Sequence, residues 1–320
     1  MALHQASGRW KLGLAMASVT ALSWSTLPVA LKITLEQLDP YTLTWIRFVV
    51  AALAMLGWLA LRRGFGAFRD LGARRWTWLS LAAIGLIGNY VFYLLGVQHT
   101  TPGNAQLLIQ LAPLLMALGG IFVFKERYRA GQWLGLAIIA GGLLAFFRDQ
   151  MMGAASGASY ARGSALVVVA AVVWAGYALL QKQLLVRLSS AAIQAFIYTV
   201  AALVLLPLAH PAELLALDAR HGWLLAFCAL NTLVAYGAFA EALAHWQASR
   251  VSAVLALTPL LSLAFIALVH SLWPWSIAPE QVGPLGWMGA LAVVAGSCLC
   301  SLLGNAPARA AAVAPAGEGA

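Results

Sequence analysis

Two apolar stretches, LIQLAPLLMALGGIFVF at residues 108–124 and VLALTPLLSLAFIALV at residues 254–269, decide the fold of this chain. Each has a proline near its middle, followed by two leucines. The two prolines, Pro113 and Pro259, are 146 residues apart. A proline inside a helix removes a backbone hydrogen bond and kinks the chain. A costly feature that occurs twice at matching places predicts a duplicated unit with one bent helix in each copy.

The composition predicts a membrane protein. Of the 320 residues, 62% are hydrophobic and 9% are charged, whereas about a quarter of a soluble domain is charged. The 13 tryptophans and 29 glycines are typical of membrane proteins, where Trp concentrates at the interfaces and Gly at helix contacts. A net charge of +9 would suggest nucleic acid as the partner of a soluble protein. Here the basic residues lie in short loops between apolar segments, so we expect a lipid bilayer and no nucleic acid.

The cysteines give no sign of a metal or redox centre. Cys228, Cys298 and Cys300 all lie in apolar runs, and no pair has metal-ligand spacing with histidines nearby. We therefore interpret all three as small buried hydrophobes and expect no cofactor and no metal.

Ten apolar segments approach the length of about 20 residues that a membrane-crossing helix needs. They lie at residues 12–31, 41–61, two within 76–124 on either side of the turn QHTTPGN (98–104), 130–147, 163–181, 189–209, 221–245, 251–272 and 283–303. This pattern predicts an all-α membrane protein of ten helices. Fourteen of the 19 Lys and Arg residues fall on the side of the N-terminus and four on the other side. The excess predicts that both termini are cytoplasmic, and residues 304–320 are predicted to be a disordered tail.

Matches at nearly constant spacing indicate a tandem duplication. The matched pairs are Trp24 and Trp174, Lys32 and Lys182 (150 residues apart), Tyr90 and Tyr236, Pro113 and Pro259 (146 apart), and Glu126 and Glu280 (154 apart). The spacing changes only in loops. We predict a first repeat at residues 11–148, a linker at 149–162 and a second repeat at 163–303.

Each repeat holds five helices, and because five is odd the second repeat is inverted relative to the first. Inverted repeats are a transporter architecture, with the binding site between the repeats and alternating access by rocking of one against the other. Pro113 and Pro259 are then candidate gating residues. They are also compatible with a purely structural role in bent helices, whose neighbours satisfy the freed carbonyl.

The run LLMALGGIFVFKERYRAGQWLGLAIIAGGLLA (114–145) resembles the end of an EamA domain, with a Pro-Leu-Leu helix, Glu126 after the fourth span and a glycine-spaced fifth helix. The second half is similar at Pro259, Glu280, Gly289 and Gly296, with a longer loop before Glu280. The resemblance covers roughly residues 11–303 and implies the drug/metabolite transporter superfamily. It implies two inverted EamA repeats in a bacterial inner membrane, with a cavity lined mainly by helices 1–4 and 6–9. Within the superfamily, the chain is most similar to YddG-type exporters of aromatic and other amino acids.

Polar and aromatic side chains inside the spans are the candidate substrate-binding residues, because polar groups are costly in hydrocarbon and tend to face a cavity or another helix. Several share a helix face at spacings of three, four or seven. The set is Trp24, Asn89, Tyr90, Tyr93, Gln106, Gln110, Trp174, Tyr177, Gln181 and Tyr236. Such a cavity could stack a flat or apolar side chain while its amides and hydroxyls bind an ammonium and a carboxylate. For any one ring, packing within the bundle is the simpler interpretation.

Two charged residues inside spans are candidates for coupling. Glu241 is a carboxylate in an otherwise uncharged segment, with His245 four residues later. It could couple transport to protons or only meet headgroups near a membrane surface. Arg47 could attract a substrate carboxylate or pair with Asp39. For Glu280 and its repeat partner, capping or pairing at the entry to helices 10 and 5 is the simpler expectation.

The leading functional prediction is a carrier that exports amino acids, aromatic and other neutral ones, by alternating access. Export of drugs, nucleosides or other small metabolites is the alternative. No Walker A motif is present, so ATP is not the direct driver, and proton coupling stays open. No clustered catalytic groups are found, so we expect no enzyme; the inverted repeat favours a carrier over a channel. Closely spaced glycines in helices 5 and 10 predict tight packing, and both a monomer and a dimer stay open.

Overall fold

The computed structural model describes residues 9–69, 71–124, 128–152, 157–184, 187–246, 251, 254–255 and 257–303. Within these residues the regular structure is helical, with no β-strand. The helices are α1 (Trp10–Thr34), α2 (Pro40–Leu61), α3 (Ala73–His99), α4 (Pro102–Leu108), α5 (Leu111–Phe124), α6 (Ala130–Met152), α7 (Ala158–Leu184), α8 (Ser190–Leu205), α9 (Ala219–His245), α10 (Thr258–Leu272) and α11 (Pro284–Leu303). Short 3₁₀ helices lie at Gly64–Phe68, Leu206–Leu208 and Pro211–Leu215.

The outer surface of the bundle is apolar. Helices α1, α2, α3, α6, α7, α8 and α9 are long and apolar enough to cross a membrane, and three shorter apolar helices overlap α5, α10 and α11. Large side chains such as Leu53, Leu144 and Leu203 are 65–70% exposed. Exposed apolar surface on this scale fits hydrocarbon and not water. The chain is therefore a multi-pass membrane protein, and the count of ten crossings stays a prediction.

Capping residues set several helix ends that hydropathy alone placed less accurately. Asp39 precedes α2, and its carboxylate accepts hydrogen bonds from the backbone N–H groups of Tyr41 and Thr42. Because proline is favoured in the first turn, the helix begins at Pro40. Helices α6 and α7 extend into the predicted linker 149–162 from both sides. Residues 153–156 of that linker, and the predicted tail, lie outside the described residues.

The segment predicted as the fourth crossing is broken into α4 and α5 by a turn at residues 109–110. Pro113 has no N–H to donate to the carbonyl of Ile109, four residues earlier. The N–H of Ala112 donates to that carbonyl instead, at 2.9 Å. The break is therefore a direct consequence of the proline.

A matching turn precedes Pro259 at the start of α10. Leu257 lies in this turn, and its N–H donates to the carbonyl of Val254 at 3.1 Å, a three-residue span in place of the helical four. Both prolines therefore stand just after a break in their segment, and the symmetric pattern of the sequence is present in the backbone.

The helix packing is consistent with two repeats related by a two-fold axis. The most extensive contacts join α1 to α9, α3 to α7, α2 to α8 and α6 to α11, and α4 packs on α10. The predicted repeat makes α1 equivalent to α7, α2 to α8, α3 to α9 and α6 to α11. That operation exchanges the pair α1–α9 with the pair α7–α3 and maps the pairs α2–α8 and α6–α11 onto themselves.

Helices α6 and α11 cross where glycines face each other. A Cβ added to Gly135 would lie 2.7 Å from the carbonyl oxygen of Gly296, and one added to Gly142 would lie 2.6 Å from that of Gly289. The repeat spacing of 154 makes these two contacts equivalent to each other. Backbones this close exclude any larger side chain, so the glycine spacing in the sequence reports a real close approach.

Candidate functional site

Arg47 lies in the second turn of α2, and only 3% of its surface is exposed. Its Nε donates to Oγ1 of Thr232 on α9 at 3.2 Å. The guanidinium carbon lies 4.9 Å from the centre of the Tyr90 ring on α3. A guanidinium carries five N–H donors. The structure records one hydrogen bond from this group to the described residues, which leaves four donors without a protein acceptor there.

The groups around Arg47 are neutral. Its charge acts on the hydroxyls of Tyr90, Tyr93 and Tyr198 and on the thiol of Cys228. Across the part of the chain that the structure describes, no carboxylate forms an ion pair with it within 4.0 Å. A buried charge normally needs a partner, and an unpartnered one within a membrane bundle indicates function.

The expected alternative for Arg47, a pair with Asp39, is wrong. Asp39 caps the N-terminus of α2, and its Oδ2 lies 3.5 Å from Nδ1 of His210. The hydrogen bonds that Asp39 accepts hold the pKa of its carboxyl below the ordinary value, although burial opposes this. The two residues are two turns apart on the chain, and the guanidinium of Arg47 turns instead toward α3 and α9.

Aromatic rings from both predicted repeats meet beside Arg47. Trp24 on α1 lies 5.7 Å from the ring of Tyr236 and 5.7 Å from that of Phe239, both on α9. The hydroxyl of Tyr90 interacts with the side chains of Tyr236 and Thr232. The structure therefore brings together three of the predicted binding residues, Trp24, Tyr90 and Tyr236, next to the buried cation.

A second row of rings continues from Tyr90 toward α7 and α8. Phe48 lies 4.6 Å from the ring of Tyr90 and 5.7 Å from that of Tyr198. Tyr177 follows on α7, where its hydroxyl accepts a hydrogen bond from Nε2 of Gln194 at 3.2 Å. Trp174 is 6.4 Å from Tyr177. The rings of both rows, together with Arg47 and Thr232, are called the central cluster below.

Four members of the central cluster were missed from the sequence: Phe48, Tyr198, Thr232 and Phe239. Phe48 and Tyr198 are 150 residues apart, the spacing that relates Trp24 to Trp174, so the repeat itself could have identified them. Phe239 lies 146 residues after Tyr93, the spacing that relates Tyr90 to Tyr236, so the repeat identifies it too, whereas Thr232 carries no signal of this kind. At the same spacing Arg47 corresponds to Ile197, so the charge has no counterpart in the second repeat.

The remaining predicted binding residues lie apart from this arrangement or make other contacts. The Tyr93 hydroxyl donates to Oε1 of Gln106 at 3.4 Å. Asn89 donates from Nδ2 to the backbone carbonyl of Ala170 at 3.0 Å, which ties α3 to α7. Gln110 lies in the turn between α4 and α5 and Gln181 is half-buried in α7. For these two side chains the structure records no hydrogen bond to the described residues.

Comparison with known proteins places the chain in a family. The model of the EamA-like transporter family matches residues 11–148 and 161–302. The chain belongs to the EamA-like transporter family. It is a multi-pass membrane transporter, and both matched regions contribute helices to the central cluster.

The similar proteins carry little information about the substrate. This transporter is 37% identical over 288 residues to the uncharacterized inner membrane transporter YhbE of Escherichia coli, over 89% of this chain and 90% of YhbE. It is 32% identical to an uncharacterized transporter of Haemophilus influenzae, over 91% and 95% of the two chains. A crystal structure aligns over 93% of this chain and 98% of its own, with a TM-score of 0.61 and 20% identity. That last likeness concerns the fold alone.

A short relative has a more specific name. Over 115 residues, 33% of this chain and 99% of the relative, the transporter is 32% identical to a protein of Pseudomonas savastanoi pv. phaseolicola. That protein is described as a probable 4-amino-4-deoxy-L-arabinose-phosphoundecaprenol flippase subunit.

A second charged group of the transporter lies where α1 ends beside the α3–α4 turn. The ammonium of Lys32 donates to the backbone carbonyls of Val97, Gln98 and Thr100, each at 2.8 Å. These three bonds use all three of its donors. They also place a cation at the C-terminal end of α3, where the helix dipole favours one.

Glu280 faces the same turn from the loop before α11. One carboxylate oxygen accepts a hydrogen bond from the Thr101 hydroxyl, and the other lies 3.3 Å from the N–H of Gly103. Burial raises the pKa of this carboxyl, although these hydrogen bonds and the charge of Lys32 oppose the shift. Lys32, Thr101 and Glu280 are called the turn cluster below.

The turn cluster corrects the expected role of Glu280. Glu280 caps the start of α4, whereas the sequence suggested capping or pairing at the entry to helix 10. The entry to α11 is capped instead by Asp149, at the end of α6. Its Oδ2 accepts a hydrogen bond from the N–H of Gly283, just before α11, at 2.8 Å. Glu126, the repeat partner of Glu280, lies outside the described residues.

Glu241, the other coupling candidate, lies near the end of α9. Its side chain is 54% exposed, and its Oε1 is 2.7 Å from Nε2 of His245. This is an i, i+4 pair on one helix face. Because its side chain is largely exposed, Glu241 is not part of the buried central cluster.

One group of side chains could hold a metal ion by geometry. Asp39, His210 and Glu213 offer ligand atoms that all lie within 4.8 Å of one another. His210 is 68% exposed, and Asp39 already caps α2. These contacts join the loop before α2 to the loop before α9, and we assign no metal function to them.

A separate cavity of about 360 Å³ lies among α4, α5, α6 and α7. It is lined by Leu108, Leu111, Leu114, Ala140, Leu143, Leu144, Phe147 and Val168. Because Leu144 is 70% exposed, this groove opens sideways toward the lipid. It contains none of the predicted site residues.

Proposed function

We propose that this EamA-family transporter exports amino acids, aromatic and other neutral ones, by alternating access. Both termini are cytoplasmic in this proposal. The two repeats rock about the central cluster and expose it to each side in turn. The transporter is a carrier and performs no chemistry on its substrate.

The observation that carries the proposal is the meeting of rings from both repeats around a buried polar centre. Trp24, Phe48 and Tyr90 come from the first repeat, and Tyr198 and Tyr236 come from the second. Rings of this kind stack on flat or apolar side chains and attract an ammonium over their faces, worth about 0.5–2 kcal/mol for each contact. An amino acid presents both features in one molecule.

Two buried amide oxygens support recognition of the ammonium group. Oε1 of Gln194 and Oδ1 of Asn231 have no hydrogen-bond partner among the described residues. Their amide nitrogens are held in place, by the hydroxyl of Tyr177 and by the backbone carbonyl of Ser23 at 2.8 Å. A positioned acceptor without a donor is costly to bury, and an ammonium supplies donors.

The breaks at Pro113 and Pro259 support alternating access. Broken helices near the bilayer midplane are typical of secondary transporters, where they line the substrate site. Two equivalent breaks in opposite orientations give each repeat one bendable segment. In this proposal Pro113 and Pro259 are gating residues.

A second candidate is transport of a lipid that bears a phosphate. The likeness to the probable flippase subunit favours it, and the groove among α4–α7 gives an acyl chain a place to lie. The likeness covers a third of the chain, and the rings of the central cluster suit a small solute better.

Counterflow in proteoliposomes tests the proposal. Vesicles containing the purified transporter are preloaded with unlabelled Phe, Trp, Met, Thr or Lys and exposed to labelled Phe, with and without a pH gradient. We expect saturable exchange with Phe, Trp and Met. An absence of exchange with every amino acid, from protein shown to be folded, would contradict the proposal. A lipid-scrambling assay on the same vesicles would then decide the second candidate.

The pH gradient tests coupling in the same experiment. If exchange depends on the gradient, the Glu241→Gln variant should lose that dependence while it keeps exchange itself. An unchanged dependence in this variant would remove Glu241 as the coupling group.

A further inference from the structure

We infer that Arg47 binds the carboxylate of the transported molecule, so that an anionic group is a requirement for transport. The inference rests on the proposed export of amino acids and names the part of the substrate that the site selects. Arg47 is a specificity-determining residue in this proposal, and the rings of the central cluster hold the remainder of the substrate.

The bonding of Arg47 is incomplete in a way that fits a planar anion. Nε is fixed by Thr232 at 3.2 Å and the guanidinium lies against the Tyr90 ring, which sets the plane of the group. Four donors stay without an acceptor among the described residues. A carboxylate accepts two parallel hydrogen bonds from an arginine in such a fixed orientation.

The neutral surroundings exclude an internal counter-ion from the described residues. Tyr90, Tyr93, Tyr198, Thr232 and Cys228 are the groups that the charge of Arg47 reaches. None of them supplies a negative charge in its ordinary state. An arginine does not lose its proton in a protein, so the site carries a net positive charge that a substrate anion can neutralise.

The packing of the bundle does not explain why this position is charged. The corresponding residue of the second repeat, Ile197, is fully buried within an apolar core. The fold therefore accepts an aliphatic side chain at this place in α8. Because the second repeat has Ile197 in place of Arg47, the central cluster is asymmetric. A substrate therefore binds with its carboxylate toward α2.

The inference is tested first with ligands and no mutation. Three compounds compete with labelled phenylalanine in counterflow: unlabelled phenylalanine, phenethylamine, which lacks the carboxylate, and 3-phenylpropionate, which lacks the ammonium. We expect phenylalanine and 3-phenylpropionate to compete and phenethylamine to compete at least tenfold more weakly. Equal competition by phenethylamine would overturn the inference and leave amino-acid export standing.

Variants then assign the effect to Arg47. Loss of a charge-assisted hydrogen bond corresponds to a tenfold to hundredfold change in affinity, so Arg47→Gln should raise the KM for phenylalanine by roughly that factor. The KM of Arg47→Lys should lie between those of the wild type and Arg47→Gln, because lysine keeps the charge but not the planar pair of donors. Arg62→Gln is the matched control. It removes an exposed arginine of the same segment that lies 4.7 Å from the ring of Trp58, and it should leave the KM unchanged.

Failure of the proposed function would be recognisable as a separate outcome. If the wild type exchanges no amino acid, thermal unfolding is measured with benzoate, acetate and inorganic phosphate. Stabilisation of the wild type but not of Arg47→Gln would support an anion site that serves another substrate. No stabilisation by any of these anions would overturn the assignment of Arg47 as well.

Discussion

Two cations of the transporter, Arg47 on α2 and Lys32 on α1, differ in how completely their hydrogen bonds are satisfied. Every donor of Lys32 has a backbone acceptor at 2.8 Å, and Glu280 lies close by. Arg47 makes one hydrogen bond to the described residues, and the groups of those residues on which its charge acts are neutral hydroxyls and a thiol. A charge whose partners are complete stabilises the fold, whereas a charge whose partners are missing is available to a ligand.

Lys32→Met should give the largest loss of stability of the changes considered. It removes three charge-assisted hydrogen bonds and leaves both the end of α3 and Glu280 without their cation. A hydrogen bond to a charged group contributes about 1.5–3 kcal/mol, so the loss of three should lower the unfolding midpoint in detergent by several degrees. Lys11→Met, an exposed position on the same helix over the ring of Trp10, should unfold like the wild type. A normal midpoint for Lys32→Met would contradict a structural role for the turn cluster.

Trp24→Ala and Trp174→Ala should lower transport with a smaller effect on folding. An aromatic contact to a ligand is worth roughly 0.5–2 kcal/mol, which is about two- to thirtyfold in KM. The initial rate of counterflow at low substrate concentration measures this. Trp223→Ala is the matched control, because Trp223 is 78% exposed on α9. Wild-type rates in both test variants, with folding intact, would remove these two rings from the substrate site.

The pH dependence of stability should identify the turn cluster as the place of a raised carboxyl pKa. Burial raises the pKa of Glu280 above its value in the unfolded chain. The protonated form therefore stabilises the folded state below the unfolded pKa, and this contribution is lost as the pH rises through the folded pKa. Unfolding midpoints from pH 4 to pH 8 should fall more steeply for the wild type than for Glu280→Gln. Parallel curves would show that Glu280 does not titrate in this way.

Much of the fold could be predicted from the sequence because it depends on patterns that repeat. The spacings of 146, 150 and 154 relate residues that the structure places symmetrically, including the breaks before Pro113 and Pro259. Hydropathy found the long helices. Their ends were less accurate, since these depend on caps such as Asp39 and Asp149. The cap that Glu280 places on α4 joins residues about 180 positions apart, and no local pattern reports such a contact.

The candidate site was predictable where it obeyed the repeat or, as for Tyr177, where a residue shares a helix face with another candidate. Trp24, Tyr90 and Tyr236 were found because they recur, and the structure does bring them together. Arg47 had to be judged alone, because its repeat position holds Ile197. From the sequence, Asp39 was as good a partner for Arg47 as a substrate. Pairing with Asp39 and binding of a substrate can be distinguished only when the direction of the Arg47 side chain and its neighbours on α3 and α9 are known.

Arg47→Met should have the smallest effect on stability, and it is the sharpest test of the comparison with Lys32. Burying a charge without full hydrogen bonding is unfavourable, and an apolar residue of similar length is often neutral or stabilising in such a place. We expect an unfolding midpoint equal to or above that of the wild type, with transport of phenylalanine lost. A midpoint that falls as far as that of Lys32→Met would mean that Arg47 serves the fold. A stable protein that no longer transports would instead mean that the chain keeps a costly charge because its substrate needs it.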